Sequence, residues 1–332
     1  MSRVVRFHEL GGPEVLRVEE ATVGEPGPGE VRVRIEAIGL NRAEAMFRGG
    51  YYIEPVRAFP TSLGTEAAGV LEAVGDGVTD LRAGDPVSVV PAFSQNDYGV
   101  YAERAIVPAA AVLPRPDWVD AVTGAAVWMP YVTAYGALLD MGGLRPGDTV
   151  LLTAASSSVG LAAIQIANRI GATPIATTRT TTKRDLLLKA GAADVIVTDE
   201  EDVVDRVHAA TGGRGAEFVF DAVAGPGTAR LSSAVAPGGT LCLYGALGGG
   251  DTPFPLVDAM RRGLNLRGYT LYEITTDPDR LRRAAAFVTS GLRGGALAPV
   301  VDRVFDLSDI VEAHRYLESN AQFGKIVVTV DH

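Results

Sequence analysis

The first third of the chain has the alternating pattern of half-buried β-strands. Apolar Val31, Val33 and Ile35 alternate with charged residues, which is the period of a strand that turns one face to a core. A glycine- and proline-rich turn cluster at residues 24–29 precedes this strand, and further glycines punctuate the chain up to residue 84. Many short strands between regular turn signals predict a barrel or a sandwich.

The middle of the chain changes to strands that alternate with helices. The pattern predicts strands at 150–153, 173–178, 194–197, 217–221 and 240–244, and helices at 158–170, 182–190, 202–211 and 227–236. This alternation predicts a doubly wound parallel sheet. The tail adds helices at 278–290 and 308–319, the second with Ser308 as its N-cap, and a last strand at 325–330.

The composition is that of a folded protein, and the length is that of a protein with two domains. Of its 332 residues, 47% are hydrophobic and 21% are charged, which excludes a disordered or collagen-like chain. The net charge is −10, and since duplex-binding proteins present a basic face, we expect no nucleic-acid partner. The single cysteine, Cys242, excludes an internal disulfide and a cysteine-rich metal site, and the four histidines have no metal-ligand spacing.

Two uncharged runs, residues 121–139 and 149–168, have about the length of a membrane-spanning helix. Glycine, proline and hydroxyl-bearing residues interrupt them, so we interpret both runs as buried structure and expect no membrane partner. Residues 1–20 carry charges throughout and predict no secretory signal. Together with the lack of disulfides, this predicts a cytoplasmic protein.

The run from Leu151 to Leu161 carries the strongest chemical signal. It follows a predicted strand and opens a predicted helix, as the G-x-G-x-x-G turn of dinucleotide-binding proteins does. Small residues let a pyrophosphate approach the backbone at the helix N-terminus, and hydroxyl groups can donate to its oxygens. The candidate cofactor contacts are Ala155, Ser156, Ser157, Ser158, Val159 and Gly160. Two of the three glycines are missing, so the alternative is an ordinary serine N-cap.

The end of the next strand indicates which dinucleotide binds. A carboxylate about 20 residues after the turn would hold the ribose diol of NAD and repel a 2′-phosphate. Residues 177–183 contain no acid but include Arg179 and Lys183, two cations that suit a 2′-phosphate. The sequence therefore favours NADPH over NADH, the alternative being a solvated helix start.

These segments together resemble the medium-chain dehydrogenase/reductase superfamily, and within it the zinc-independent quinone oxidoreductases that include zeta-crystallin. The resemblance covers essentially the whole chain. It is carried by AIGLN at 37–41, GTEAAG at 64–69, AGDPV at 83–87, YGVYAE at 98–103, TAY at 133–135, the turn at 154–160, KAGA at 189–192 and GK at 324–325.

The resemblance implies an α/β protein of two domains. A GroES-like β-barrel catalytic domain would occupy residues 1–122, completed by 270–332, and a Rossmann domain would occupy 123–269 and bind NADPH. It also implies a homodimer formed through edge strands of the Rossmann sheet, in the region of 240–244 and the strand that follows.

The resemblance further implies chemistry without zinc. Asn41, Thr65 and Met129 match the positions that carry the zinc ligands of the alcohol-dehydrogenase branch, and they are not a zinc ligand set. Hydrogen-bond donors would then stabilise charge on the substrate oxygen in place of a Lewis acid. The candidates are Asn41 and Tyr52, with Tyr51 as the alternative to Tyr52 because the following segment is longer than in related enzymes.

More cofactor contacts follow from the resemblance, although each of them could be plain structure. They are Thr133, Thr198, Tyr244, Gly245, Ala246, Tyr269, Thr270, Leu271 and Lys325. The implied activity is hydride transfer from NADPH to a quinone or an α,β-unsaturated carbonyl. Two alternatives remain: an enoyl-thioester reductase of the same superfamily, and a non-catalytic, crystallin-like NADPH-binding protein. Cys242 lies in an apolar strand pattern and is interpreted as a buried structural thiol.

Overall fold

The computed structural model describes all 332 residues, which form two compact units. The terminal unit comprises Met1–Met129 and Pro299–His332, and the central unit comprises Pro130–Ala298. Strands and helices are numbered β1–β15 and α1–α11 along the chain, and each unit is built on its own sheet.

The terminal unit is mainly antiparallel. Its strands are β1 (Ser2–Arg6), β2 (Arg17–Ala21), β3 (Glu30–Leu40), β4 (Ala67–Val74), β5 (Pro86–Val89), β6 (Arg104–Pro108), β7 (Val112–Pro114), β14 (Val301–Asp306) and β15 (Lys325–Thr329). Its helices are α1 (Arg42–Gly49), α2 (Ala121–Gly124) and α11 (Ile310–Ser319), and α3 (Trp128–Tyr135) begins at its end. Strands β14-β15-β3-β4-β5-β7 form one sheet in that order, and β6 pairs with β3.

Strand β3 is the centre of this sheet because it pairs with β4, β6 and β15. The predicted inward residues Val31, Val33 and Ile35 have no exposed surface, which confirms the alternating pattern. The strand ends at Leu40, so Asn41 and the start of α1 lie directly beyond the sheet. The pairing with β15 brings the second end of the chain, with Lys325, to the same place.

The central unit is a parallel sheet with crossover helices. Its strands are β8 (Thr149–Leu152), β9 (Thr173–Thr178), β10 (Asp194–Val197), β11 (Ala216–Asp221), β12 (Val235–Leu243) and β13 (Asn265–Gly268). Its helices are α4 (Ser158–Ile170), α5 (Arg184–Lys189), α6 (Val203–Ala210), α7 (Thr228–Leu231), α8 (Leu256–Arg262), α9 (Tyr272–Thr275) and α10 (Pro278–Arg293). The order β10-β9-β8-β11-β12-β13 is the 3-2-1-4-5-6 order of a Rossmann sheet, which confirms the predicted fold class.

The end of the central unit lies later in the chain than the predicted boundary at 269/270. Helix α10 packs on this unit and buries Leu281, Ala284 and Val288. Arg280 Nε lies 3.0 Å from Asp140 Oδ2, which fastens the helix to the start of the unit. These contacts explain why residues 270–298 belong with the parallel sheet.

Helix α4 and strands β9 and β10 have the predicted bounds, but the helix predicted over 227–236 is wrong. Only α7 and short 3₁₀ turns form there. The hydroxyl groups of Ser232 and Ser233 donate to Asp258 at 2.9 Å, and Val235 already pairs beside Ala216 in β12. Serine side chains that bond elsewhere weaken a helix, and the chain enters the sheet early.

The predicted N-cap Ser308 is also wrong. The Asp306 carboxylate accepts a hydrogen bond from the Ser308 backbone N–H at 2.8 Å and caps a 3₁₀ turn, Leu307–Asp309. Helix α11 therefore begins only at Ile310.

One helical stretch, Ala121–Met141, is long and apolar enough by length and composition to cross a membrane. Of the most apolar 18-residue window of this stretch, 72% is buried inside the protein. The core helix of a soluble protein meets the same criteria of length and composition. This burial agrees with the interpretation of the run 121–139 as buried structure.

Candidate functional site

Most of the predicted cofactor contacts lie at the carboxyl edge of the parallel sheet. The turn after β8, the cations after β9, Thr198 after β10 and Tyr244 after β12 each follow their strand directly. Backbone hydrogen bonds link these segments: Thr198 N–H donates to Thr178 O at 2.8 Å, and Tyr244 N–H donates to Asp221 O at 2.9 Å. Ligands of open α/β sheets bind at this edge, where the strand order reverses between β8 and β11.

The turn after β8 has a tight backbone. Ala154 adopts a left-handed conformation with φ 47°, which a residue with a side chain rarely adopts. Ser157 caps α4, and its Oγ accepts a hydrogen bond from Gly160 N–H at 3.1 Å. A Cβ on Gly160 would lie 2.5 Å from Ala155 Cα, so only glycine lets the helix start pack on the turn.

The serine N-cap interpretation is therefore correct for Ser157, whose side chain also lies beside the Tyr244 hydroxyl. Ser156, Ser158 and Val159 are half-buried beside it, while Ala155 is buried. A phosphate at this turn would meet a helix N-terminus with small residues and several hydroxyl groups around it.

A cation lies over the turn. Lys183 Nζ is 3.4 Å from Ser156 Oγ, because the 3₁₀ turn Thr181–Lys183 brings the chain back from the end of β9. Arg179 is exposed immediately after β9, and Thr198 is exposed after the neighbouring β10. The structure thus places both predicted cations at the end of β9, and one of them contacts the turn.

Asp221 holds the neighbouring loop. Its buried carboxylate accepts hydrogen bonds from Thr153 Oγ1 at 2.6 Å, Val223 N–H at 2.9 Å and Ala224 N–H at 3.0 Å. Ala224 has φ 54°, a strained conformation that these bonds maintain. Asp221 therefore holds the loop after β11, with both of its carboxylate oxygens engaged in hydrogen bonds.

Tyr244 provides a buried polar atom at the same edge. Its ring stacks on Phe220, with the centroids 3.9 Å apart and the planes at 18°. Its hydroxyl oxygen is buried beside the side chain of Ser157 in the turn after β8. After it, Gly245 approaches Ala222 so closely that a Cβ would lie 2.6 Å from the Ala222 carbonyl oxygen, and Ala246 is exposed. Tyr244 and the turn after β8 therefore lie together at this edge.

The remaining predicted contacts of this unit follow β13. Tyr269 is buried, and its hydroxyl donates to the Val132 carbonyl at 3.4 Å, next to the buried Thr133. Thr270 is exposed, whereas Leu271 is buried at the start of α9. Thr133 and Tyr269 are therefore neighbours, and Leu271 has a core position.

The terminal unit contains a buried polar group of five residues, which we name the Lys325 cluster: Asn41, Glu44, Thr65, Glu66 and Lys325. Lys325 Nζ lies 2.5 Å from both Asn41 Oδ1 and Glu66 Oε2. Glu44 accepts hydrogen bonds from Asn41 N–H at 2.7 Å and from Thr65 Oγ1 at 3.3 Å. None of the five is more than 7% exposed, so the interactions of these charges are little screened by water.

Local structure explains why the cluster forms. Asn41 is the residue before α1, and Glu44 reaches back from the first helical turn to satisfy its N–H. Gly39 is needed because a Cβ there would lie 2.0 Å from the Ala125 carbonyl and 2.9 Å from Lys325 Cε. Burial raises the pKa of Glu44 to about 7; Lys325 and backbone N–H groups oppose this shift, and Glu66 reinforces it.

The cluster joins the three positions that match zinc ligands of the sister branch. Asn41 and Thr65 belong to it, and Met129 N–H donates to Glu66 Oε1 at 2.8 Å. These positions offer an amide, a hydroxyl and a backbone N–H toward the cluster, and an ammonium lies among them. The structure contains no group of three or more His, Cys, Asp and Glu residues that could hold a metal ion. Zinc therefore does not fit this donor set.

The two candidate tyrosines differ in their surroundings. Tyr52 is half-buried against the core, with its ring edge-on to Phe47 at a centroid distance of 6.4 Å. Tyr51 is 61% exposed and lies against Gly49. Packing restrains Tyr52 and leaves Tyr51 at the surface.

Other buried ionisable groups are structural. Arg48 donates to the Gly11 carbonyl and to Glu318 and contacts His314 Nδ1 at 2.8 Å, so it ties α1 to α11. Burial lowers the pKa of His314 to about 3, which excludes it as an acid or base near neutral pH. Burial raises the pKa of Cys242 to about 12, as expected of a structural thiol.

Sequence reasoning missed Glu44 and Glu66. Glu44 stands three residues after Asn41, the spacing of a carboxylate that caps a helix N-terminus. Glu66 stands in the GTEAAG motif, beside the Thr65 that matches a zinc-ligand position. The helix-cap spacing and the motif position are both visible in the sequence. Neither of them shows that the two carboxylates lie close to Lys325 in the fold.

Comparison with known proteins supports the fold of both units. The family described as "Alcohol dehydrogenase GroES-like domain" matches residues 27–117, and "Zinc-binding dehydrogenase" matches residues 158–290. The chain is 31% identical to the quinone oxidoreductase of Homo sapiens, covering 99% of this chain and 98% of that protein.

Two solved structures are similar over the whole chain. The quinone oxidoreductase of Escherichia coli complexed with NADPH has a TM-score of 0.92 and 31% identity, over 99% of this chain and 100% of that one. An NAD-dependent alcohol dehydrogenase has a TM-score of 0.89 and 34% identity, also over 99% of this chain and 100% of that one. The NADPH complex of the first of these structures supports the NADPH expectation drawn from residues 177–183.

Proposed function

Because the chain belongs to the quinone oxidoreductase branch of the medium-chain dehydrogenase/reductase superfamily, we propose that it is an NADPH-dependent reductase of quinones or α,β-unsaturated carbonyls. The observation that carries this proposal is the carboxyl edge of the central sheet. There, a tight turn at a helix N-terminus, the buried Tyr244 hydroxyl and the Lys183 ammonium come together. This edge has the donors and the positive charge that a phosphorylated dinucleotide requires.

Residues of the central unit hold the cofactor. The turn from Ala155 to Gly160 takes the pyrophosphate, and Arg179 and Lys183 take the 2′-phosphate. When bound, NADPH supplies a hydride.

The choice of NADPH over NADH is tested by Arg179→Ala/Lys183→Ala. Each lost charge-assisted hydrogen bond is worth about 1.5–3 kcal/mol, so the loss of both should raise the NADPH dissociation constant by at least about 100-fold. The NADH constant stays within about twofold. Lys189→Ala is the matched control, since Lys189 is exposed at the far end of α5. An equal loss for both dinucleotides contradicts the 2′-phosphate assignment.

Donors of the terminal unit stabilise the substrate. The hydride adds to an electron-poor carbon, and negative charge develops on the conjugated carbonyl oxygen. Asn41 Nδ2 and the Tyr52 hydroxyl donate hydrogen bonds to this oxygen, which then takes a proton from Tyr52 or solvent. The chemistry is independent of zinc, because an ammonium lies where the sister branch has its ligand set.

The deciding experiment follows NADPH oxidation by absorbance with four acceptors: 1,4-benzoquinone, 9,10-phenanthrenequinone, a simple enone and crotonyl-CoA. Each is also run with NADH and after treatment with EDTA. Quinone or enone turnover that survives EDTA is the expected result. Crotonyl-CoA as the best acceptor would make the protein an enoyl-thioester reductase, and NADPH binding without turnover would make it a non-catalytic binder.

We also propose a homodimer, formed by a second copy at the edge strand β13. This strand has one neighbour, β12, so its outer backbone groups are open to antiparallel pairing. In the segment that leads into it, Phe254, Val257 and Met260 are 63%, 64% and 77% exposed, which is apolar surface that a second copy would cover. Light scattering should give twice the chain mass of 34.7 kDa. Val257→Asp/Met260→Asp should give monomers, and a monomeric wild type at micromolar concentration contradicts the proposal.

The cytoplasmic location and the lack of membrane and nucleic-acid partners remain predictions from composition.

A further inference from the structure

The carboxamide of Asn41 lies between chemically opposite groups. Its Oδ1 accepts from the Lys325 ammonium at 2.5 Å, and its Nδ2 donates to the Gly39 carbonyl at 3.0 Å. Turning the amide over would set its NH₂ against the ammonium and its oxygen against the carbonyl. Both contacts would become repulsive, so Lys325 and Gly39 allow one orientation only.

The second N–H of Asn41 is weakly engaged. Nδ2 lies 3.4 Å from Glu66 Oε2, at the long limit of a hydrogen bond. Glu66 has better partners, because the same oxygen accepts from Lys325 at 2.5 Å and its other oxygen accepts from Met129 N–H at 2.8 Å. In this fixed orientation, the N–H is available to a substrate oxygen while the carboxylate stays satisfied.

We propose that Lys325 is a positioning residue, which holds the Asn41 carboxamide with its NH₂ group available to the substrate oxygen. This inference rests on the proposed function, in which Asn41 is a donor. It assigns Lys325 a role different from the cofactor contact expected from the resemblance. Lys325 is 1% exposed, and its ammonium bonds two side chains of its own unit. Removal of a cofactor contact should raise the KM for NADPH, whereas removal of a positioning residue should lower kcat and leave that KM unchanged.

The kinetic test compares Lys325→Met, Asn41→Ala and the double variant in quinone reduction. Loss of one oxyanion donor lowers kcat on the order of 10²-fold. We expect each single variant to lower kcat to about this extent, with the KM for NADPH unchanged within about twofold. The double variant should be no slower than the slower single variant, because both remove the same hydrogen bond. Lys189→Met is the matched control with unchanged activity, since Lys189 is exposed.

Lys325→Met leaves Glu66 buried without its cation, which can unfold the protein. Glu66→Gln/Lys325→Met removes both charges and keeps the volume. We expect this double variant to restore the melting temperature but not kcat, because the ammonium that holds Oδ1 of Asn41 is still missing. Recovery of kcat, independent multiplication of the two single effects, or a rise in the NADPH dissociation constant would each overturn the proposal.

A spectroscopic readout does not depend on turnover. Selective ¹⁵N-asparagine labelling gives side-chain signals from Asn41, Asn96, Asn168, Asn265 and Asn320, and Asn41→Ala identifies the first pair. In Glu66→Gln/Lys325→Met, the side-chain NH₂ signals of Asn41 should change their chemical shifts. Their protons should also exchange with solvent faster than in the wild type. Asn41 signals that are unchanged in this double variant overturn the positioning role. If instead the wild type reduces no acceptor while the Asn41 signals shift in the double variant, the proposed function fails and the orientation by Lys325 stands.

Discussion

Glu44 makes the stability of the terminal unit depend on pH in an unusual direction. Its side chain is fully buried, with Asn41 N–H and Thr65 Oγ1 as hydrogen-bond donors. Burial raises its pKa from 4.5 to about 7; Lys325 and backbone N–H groups lower it, and Glu66 raises it. The folded protein therefore holds this proton more tightly than the unfolded chain does.

The magnitude follows from linkage. Each pKa unit is worth about 1.36 kcal/mol, so a shift from 4.5 to about 7 corresponds to about 3 kcal/mol. The folded state binds the extra proton, so this stability is complete below about pH 4.5 and is lost as the pH rises through about 7. Glu44→Gln removes the titration but keeps the contacts, since its oxygen can accept from Asn41 and its NH₂ can donate to Thr65.

We expect Glu44→Gln to be more stable than the wild type by up to about 3 kcal/mol above pH 7, and equally stable near pH 4.5. For a unit of this size, the melting temperature of the variant should exceed that of the wild type by about 6–12 °C at about pH 8. Thermal unfolding of both proteins across this pH range measures the difference. The exposed Glu200→Gln is the control. A difference that does not change with pH, or a variant less stable at pH 8, would refute the reasoning.

Three further predictions test other parts of the structure. Tyr52→Phe should lower kcat in quinone reduction by about 10²-fold if its hydroxyl donates to the oxyanion, while Tyr51→Phe should not; the reverse result would move the role to Tyr51. Cys242 should not react with a thiol reagent in the native protein at neutral pH, because its pKa of about 12 leaves almost no thiolate, and should react in denaturant. Gly160→Ala should weaken NADPH binding in a fluorescence titration, because its Cβ would lie 2.5 Å from Ala155 Cα; unchanged affinity would show that the turn adjusts at no cost.

Local patterns predicted most of the fold, and they failed where a tertiary contact outweighs them. Helix α4 could be placed because an N-cap serine, an apolar face and Gly171 at its end all agree. The run 227–236 has the small residues of a helix, but its serines bond Asp258 and its last residues join β12. Neither interaction is visible from neighbours in sequence.

The same distinction separates the two halves of the candidate site. The cofactor turn and its cations follow consecutive strands, and parallel strands bring their carboxyl ends together, so the sequence could place them. The Lys325 cluster joins the two ends of the chain, with Asn41 and Lys325 separated by 284 residues. Only the pairing of β15 with β3 brings them into contact. No periodicity predicts such a meeting.

The charge balance of the Lys325 cluster supports the proposal that the site works without a metal. Lys325 carries one positive charge and Glu66 one negative charge, and Glu44 is half protonated at about pH 7. The group is thus close to neutral without a further cation, whereas a divalent ion would lie beside a buried ammonium. With little water to screen it, that repulsion is strong. Under the proposed function, amide and hydroxyl donors stabilise the oxyanion, and this requires an ordered carboxamide. The same lysine that opposes a metal here would provide that order.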